Sequence, residues 1–362
     1  MQQYNVLTDF HHASLLQSFI LLFEKRLGGQ VYRPIGLDWA TQGYWKVYDH
    51  PATQAQYLGI GSATPDGTPP LNEVPDGLSR DIFDMTGHYI CQDIDSGRYN
   101  KAITLDAFFK APFNIVIASM PVHIEPFKRL CALHPNKPKL IYQIGNAWTI
   151  EAGHAKNIMA SAVINNVPPD VNFIQYHQEF DLEVFEYKGP SAIGRENQGI
   201  YSFVNVFNGE AHFKNDWVLF QEVERNMPGW TFKSYGGQCR DGAVGPSNVL
   251  ANKMREARFI WHTKSGGDGY GHVIHNALAV GRPLIVRKSD YAGKLADALL
   301  VDGVTCIDVG NLSTSAIIDK IKYYNETEHY KLLCQNAYSK FKEVVDFDKE
   351  ELQLRKFLES LQ

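Results

Sequence analysis

The run DGYGHVIHNALAVGRPLI, residues 268–285, decides how this chain is read. Turn-forming residues open it, a helix-compatible stretch follows, and Gly281 turns the chain into the short apolar strand Pro283-Leu284-Ile285. RFIWHT, residues 258–263, precedes it as a β-prone run, so the order is strand, glycine-rich turn, helix, turn, strand. A glycine-rich turn that feeds a helix aims unengaged backbone N–H groups outward, which suits phosphate or diphosphate. Lys264 adds a cation beside it. Glycine content alone fits a tight strand-to-helix connection equally well.

The flanking sequence repeats that rhythm. Residues 4–7 read as a strand, residues 13–27 as a helix with Leu15, Leu16, Phe19, Ile20 and Phe23 at helical spacing, and QVYRP as a second strand. Such a βαβ start implies a parallel sheet. FNIVIAS, KLIYQI and NFIQY are further strand candidates, and a helix is expected over residues 123–134. Near-continuous apolar strands of this kind are covered on both faces. Residues 36–80, rich in Gly, Pro, Thr and Asp, read as an irregular insertion. The turn-rich run at residues 188–199 suggests a domain boundary, after which βα units restart and helices finish the chain.

Bulk properties narrow the function classes. A length of 362 residues suits two domains, and 44% apolar with 21% charged residues is a globular composition. A net charge of −5 offers no general attraction to nucleic acid. Five dispersed cysteines without a CxxC pair predict reduced thiols and a cytoplasmic protein. Neither a signal peptide nor a membrane span is expected, since no apolar run approaches ~18 residues.

In register, Asp268-Gly269-Tyr270-Gly271, Asn276-Ala277-Leu278-Ala279 and Gly281-Arg282-Pro283-Leu284-Ile285 resemble the donor-site signature of GT-B glycosyltransferases, the glycogen-synthase-like or group 1 family. There the pattern is E-G-F-G-x-x-x-x-E-A-M-A-x-G-x-P-V-I, and the spacing here matches without a gap. The residues from about 200 to the C-terminus are similar to that family's second domain, and Lys214 matches its diphosphate-binding lysine. Two signature glutamates are replaced, by Asp268 and Asn276, and Gly209 stands where an arginine usually precedes the lysine.

The resemblance implies an α/β protein of two Rossmann-like, doubly wound parallel sheets facing each other across a cleft. Residues 1–190 would be the acceptor-side domain and residues 191–345 the nucleotide-sugar domain, with 346–362 a helix crossing back. Lys214, Lys264, Gly269, Tyr270, Gly271 and His272 would hold the donor diphosphate, with Arg240 another cation that could stand in for the absent arginine. Asn276 would bind the ribose, and the loop of Ala243 and Val244 would carry the base. Asp268 would lie near the donor sugar and diphosphate as a further catalytic candidate. Asp9, His11 and His12, after the first strand, are the candidates to act on the acceptor hydroxyl, a role an imidazole suits near neutral pH.

Other features weigh less. His272 and His275 share a helix face but lack an obvious third ligand, so no metal is expected. Asp93 and Asp95 form a D-x-D best read as a solvated acidic loop. Gly145, Asn146, Glu179 and Asp181 follow strands and are weak candidates. The implied activity is metal-independent sugar transfer from a nucleotide-diphosphate sugar, UDP-sugar favoured and GDP-sugar an alternative, with no further cofactor. A GT-B epimerase and a non-catalytic sugar-nucleotide-binding module are the rival readings; Asn276 counts against the first. The acceptor stays open among glycan, lipid, small molecule and modified DNA base.

Overall fold

Strands whose every side chain is buried dominate both halves of the chain: Ile115–Ala118, Asn157–Ala160 and Gly199–Ser202 have no exposed position. A strand covered on both faces belongs to a parallel sheet wrapped by helices. The computed structural model describes residues 3–9, 13–34, 37–45, 101–145, 155–190, 198–244 and 247–362. They form two compact units, residues 1–180 with 347–362, and residues 181–346.

Unit 1 is built on a seven-stranded, wholly parallel sheet in the order β3-β2-β1-β4-β5-β6-β7. The strands are β1 (Asn5–Thr8), β2 (Gln30–Pro34), β3 (Lys101–Ile103), β4 (Ile115–Ala118), β5 (Lys139–Ile144), β6 (Asn157–Ala160) and β7 (Asn172–Gln175). The expected first helix is present as α1 (Ala13–Phe19), continued by a π-helical stretch, Ile20–Arg26, whose buried face includes Ile20 and Phe23. The start of the supposed irregular insertion is in fact helical, α2 (Leu37–Thr41), because Trp39 is fully buried and its Nε1 donates to the Ile103 carbonyl at 3.1 Å. Residues 46–80 of that segment lie outside the described residues. After β3 come α3 (Leu105–Lys110), capped by the Thr104 hydroxyl, and α4 (Pro121–Leu133).

Unit 2 carries a five-stranded parallel sheet in the order β12-β11-β10-β8-β9. Its elements run β8 (Gly199–Ser202), α5 (Lys214–Arg225), β9 (Thr231–Ser234), α6 (Ser247–Glu256), β10 (Phe259–Trp261), α7 (His272–Ala279), β11 (Leu284–Val286) and β12 (Cys306–Asp308). Two helices, α8 (Thr314–Asn325) and α9 (Thr327–Val344), follow. Connections leave β8 toward β9 on one side and reach β10 on the other, so the loops after β8 and β10 diverge. In open parallel sheets such a switch point leaves a crevice beyond the carboxyl ends of the strands. Unit 1 has the same arrangement between β1 and β4.

The division between units falls after Phe180, ahead of the turn-rich run that composition had marked. Packing explains the difference. Phe185 is buried, Tyr187 stacks on Tyr338 at 4.6 Å, and the Arg255 guanidinium donates to the Val184 and Glu186 carbonyls. These contacts bind residues 184–187 to unit 2.

The last helix, α10 (Phe347–Glu359), belongs to unit 1, where Leu354, Phe357 and Leu358 join the core. Polar contacts fix its position. Arg26 reaches Glu179 at 2.8 Å, Asp348 at 2.7 Å and Glu351 at 3.3 Å, and the His177 backbone N–H donates to Glu350 at 2.8 Å. No helix of the described residues is long and apolar enough to cross a membrane. Replacing Leu354, 2% exposed, by Ala should cost about 2–4 kcal/mol. Amide exchange should then quicken in β6 and β7 and stay unchanged in β8 to β12; equal acceleration in both units would contradict the assignment of α10.

Candidate functional site

The carboxyl end of β10 gives way to residues 262–271, which bend sharply into α7. Gly271 is the N-cap of α7 at φ +84°, a left-handed conformation that costs a side-chain-bearing residue about 1–2 kcal/mol. Gly267 is constrained further: at φ +62°, a Cβ there would sit 2.4 Å from the Asp290 carbonyl oxygen and 2.7 Å from the Lys294 ammonium. The loop is therefore pressed onto the segment after β11. Only glycine fits that approach.

Asp268 organises this turn. Its carboxylate lies 2.8 Å from His262 Nε2, accepts a hydrogen bond from the Tyr291 hydroxyl at 3.1 Å and pairs with the Lys264 ammonium. Burial pushes its carboxyl pKa up, but the hydrogen bond and charge of His262, with the charge of Lys264, outweigh burial and hold it well below the usual carboxylate range. Tyr291 is shifted upward, first by its own burial and then by the Asp268 charge. Lys294 donates to the Gly266 carbonyl, and burial lowers its pKa against the raising effect of Asp268 and Asp290.

A second carboxylate lies beside the first turn. Asp216, fully buried on α5, accepts from the Ser265 backbone N–H at 2.8 Å and from the Ser265 hydroxyl at 2.7 Å, and pairs with Arg287. Asp216 thereby ties the loop after β10 to α5 and to the end of β11. His212 Nε2 lies 3.0 Å from the Ser265 carbonyl. Lys214, two residues before Asp216, is exposed at the start of α5, and its side chain makes no hydrogen bond or ion pair among the described residues.

Several sequence candidates thus meet around one turn: Lys264, Asp268, Gly269 and Gly271 lie within it, and His272 opens the helix half-buried. Tyr270 points inward instead. It is 4% exposed and stacks on His275 at 4.1 Å, so its ring serves the packing of α7. His275 Nδ1 lies 2.9 Å from the Gly271 carbonyl, a contact that closes the same cap. Asn276, 8% exposed, has a buried Oδ1 that accepts no hydrogen bond among the described residues. A buried acceptor left open in this way costs roughly 1–3 kcal/mol until something donates to it.

Arg240 is not the extra cation proposed for the missing arginine. Its guanidinium is held by Glu224 at 2.8 Å, Asp241 at 3.2 Å and the Phe232 carbonyl at 2.7 Å. Val244 is half-buried at the end of the loop after β9, where the Gly236 backbone N–H returns to the Gly242 carbonyl at 2.9 Å.

In unit 1, Asp9 follows β1 at the switch point, but its carboxylate is already occupied. It accepts from the Ser119 N–H at 2.7 Å and the Met120 N–H at 2.9 Å, and lies 3.0 Å from His123 Nδ1. Asp9 is therefore engaged with the backbone just ahead of α4 and with His123. Glu179 is tied to Arg26, and Asp181 accepts from the Glu183 N–H at 3.0 Å to close a turn. Gly145 ends β5 within reach of Ser161. His11, His12, Asp93, Asp95 and Asn146 lie outside the described residues.

Residues that sequence reading passed over are the ones that fix the turn: His262, Asp216, Ser265, Arg287, Tyr291 and Lys294. Position at the carboxyl ends of β10 and β11 was the available signal for His262 and Arg287. Asp216 and Tyr291 had none, because their partners lie 49 and 23 residues away. Among the described residues, no three His, Cys, Asp or Glu side chains are grouped to hold a metal ion.

No family model matches the chain, and no curated protein matches it at the level required. Solved structures do. HepE of Anabaena, in complex with UDP-glucose, is similar over 99% of this chain and 100% of its own, with a TM-score of 0.58 and 13% identity. A glycosyltransferase of Rickettsia africae is similar over 99% and 100%, with a TM-score of 0.60 and 12% identity. An alpha-glucosyltransferase in complex with UDP and a 13-mer DNA is similar over 98% and 99%, with a TM-score of 0.56 and 9% identity. The chain has the two-sheet α/β fold of these proteins, GT-B.

The depressed Asp268 titration fixes a pH signature. A carboxyl that titrates lower in the folded than in the unfolded chain contributes stability above about pH 4, its unfolded value, and loses it as pH falls further. Asp268→Asn should cost about 1–3 kcal/mol near neutral pH in urea unfolding. The gap to the parent protein should narrow below about pH 4. A gap unchanged down to pH 3 would refute the ionised clamp.

Proposed function

We propose that this protein is a nucleotide-sugar-dependent glycosyltransferase, and that unit 2 holds the donor. The observation that carries this reading is the glycine turn 266–271, which leads into the N-terminus of α7 with Lys264 fixed beside it by Asp268. Open N–H groups and ammonium charges at one place are the chemistry a diphosphate needs. HepE, similar along its whole length, is described in complex with UDP-glucose, which favours UDP as the nucleotide.

Each residue then has a task. The N-terminus of α7, Lys264 and Lys214 hold the diphosphate. Departure of the nucleoside diphosphate builds negative charge on the leaving oxygen, and fixed N–H dipoles with lysines stabilise it without reorganising. This reading needs no metal. The ribose hydroxyls satisfy the open Oδ1 of Asn276; asparagine does this through neutral hydrogen bonds, weaker than those of a carboxylate. Val244 lies against the base. Asp268 keeps the turn and Lys264 in place and faces the donor sugar. Unit 1 is assigned the acceptor, whose hydroxyl attacks the anomeric carbon. The DNA in the structure of the alpha-glucosyltransferase makes a nucleic acid one acceptor class worth assay, alongside glycans, lipids and small molecules.

The reading extends to the compartment. Cys131, Cys239, Cys306 and Cys334 are free and buried, and burial pushes the Cys131 thiol up to about 12. Unpaired thiols fit a reducing cytoplasm.

Titration calorimetry with UDP-, GDP- and ADP-sugars tests the proposal. UDP-sugar binding is expected, weakened roughly tenfold to a hundredfold by Lys214→Ala and abolished by Gly271→Trp. Sugar transfer should persist in excess EDTA. The reading is lost if none of the three donor classes binds, or if both variants bind as the parent does.

A further inference from the structure

We propose that Arg287 is a donor-phosphate ligand, presented from the end of β11 by the buried carboxylate of Asp216. The inference rests on the donor reading above and adds a residue outside the glycine turn.

Arg287 follows Val286, the last residue of β11, at the carboxyl edge of the sheet. Its guanidinium is clamped by one nitrogen only. NH1 pairs with Asp216 and lies 3.9 Å from Asp290. Nε and NH2 make no hydrogen bond among the described residues, and the side chain keeps 23% of its surface exposed. A guanidinium carries five donors in a planar fork. Here one nitrogen is anchored and the donors of the other two are open among the described residues, which leaves them for a phosphate.

The surroundings of Asp216 support the same use. Asp216 is not held by Arg287 alone. It already accepts two hydrogen bonds from Ser265, and it lies in the first turn of α5, where the helix dipole favours an anion. Lys264, Arg287 and Lys294 pair with or lie beside Asp268, Asp216 and Asp290, so the cations of the turn are gathered at one place.

Position completes the argument. Asp216 touches Ser265 with one oxygen and Arg287 with the other, so the guanidinium is held next to the glycine turn. Asp216 acts as a positioning residue: it sets Arg287 and the turn in one arrangement before a ligand arrives. The chain has Gly209, not an arginine, ahead of Lys214. Arg287 supplies the planar cation from a different strand.

Calorimetry with UDP and uridine separates a phosphate contact from a structural role. Arg287→Gln should weaken UDP binding by roughly tenfold to a hundredfold and leave uridine binding unchanged. Arg287→Lys should recover part of the loss, keeping the charge without the fork. Removing the guanidinium strands a buried carboxylate, so the Asp216→Asn/Arg287→Gln double variant is measured as well, with thermal unfolding to verify its fold. UDP binding as tight as the parent's in a folded Arg287→Gln or double variant, with Lys214→Ala still weakened, overturns the role of Arg287 and leaves the donor reading standing. Equal losses for UDP and uridine also overturn it. If UDP, GDP and ADP all fail to bind the parent protein, the donor reading falls, and inorganic pyrophosphate decides for Arg287. Binding that Arg287→Gln weakens supports the anion site; unaltered or absent binding removes it.

Discussion

A carboxylate withdrawn from water has to be repaid in hydrogen bonds, and the architecture of unit 2 follows from how Asp268 is satisfied. His262 comes to it from the end of β10, Lys264 from the glycine turn and Tyr291 from the segment after β11. Each is fixed by a different stretch of chain, so the turn cannot shift without breaking the contacts that hold a half-buried carboxylate. The close approach of Gly267 to Asp290 and Lys294 exists because that clamp draws the two loops together. A turn of several glycines would ordinarily be loose. In this one the contacts of Asp268 tie it to three segments of chain.

The same device recurs at the other switch point. Asp9 gathers the Ser119 and Met120 N–H groups and His123, and so joins the end of β1 to the start of α4. Both units place a hydrogen-bonded carboxylate, buried for Asp9 and half-buried for Asp268, where the strand order reverses and the backbone diverges. Parallel sheets leave helix N-termini and loop amides unsatisfied there, and an acidic side chain is a compact way to collect them. The donors gathered around Asp9 engage both of its oxygens.

The architecture was largely legible because it follows from local periodicity. KLIYQI is strand β5 residue for residue, and the helix expected over residues 123–134 is observed at Pro121–Leu133. Short elements escaped: Lys101–Ile103 and Leu105–Lys110 are too brief for a period to show, and Asn157–Ala160 hides its strand behind a polar first residue. The backbone part of the site was equally visible, since glycine spacing is a local property. Its side-chain part was not. Asp216 is bound to Arg287, 71 residues on, and nothing in either neighbourhood announces the partner. Tyr270 shows the converse: an aromatic within a motif looks available, and its burial against His275 appears only in three dimensions.

The membership of α10 in unit 1 has a consequence for biosynthesis. Unit 2 is a continuous stretch of chain, whereas unit 1 lacks Leu354, Phe357 and Leu358 of its core until the final residues are made. At ordinary translation rates the segment between Phe180 and Phe347 takes roughly ten to thirty seconds to synthesise. Throughout that interval β6 and β7 carry an apolar face with its covering helix still unmade. The nascent N-terminal half is therefore the part of this protein that most needs shelter on the ribosome, and a chain stalled or truncated just before Phe347 would yield a finished unit 2 attached to an exposed, aggregation-prone sheet.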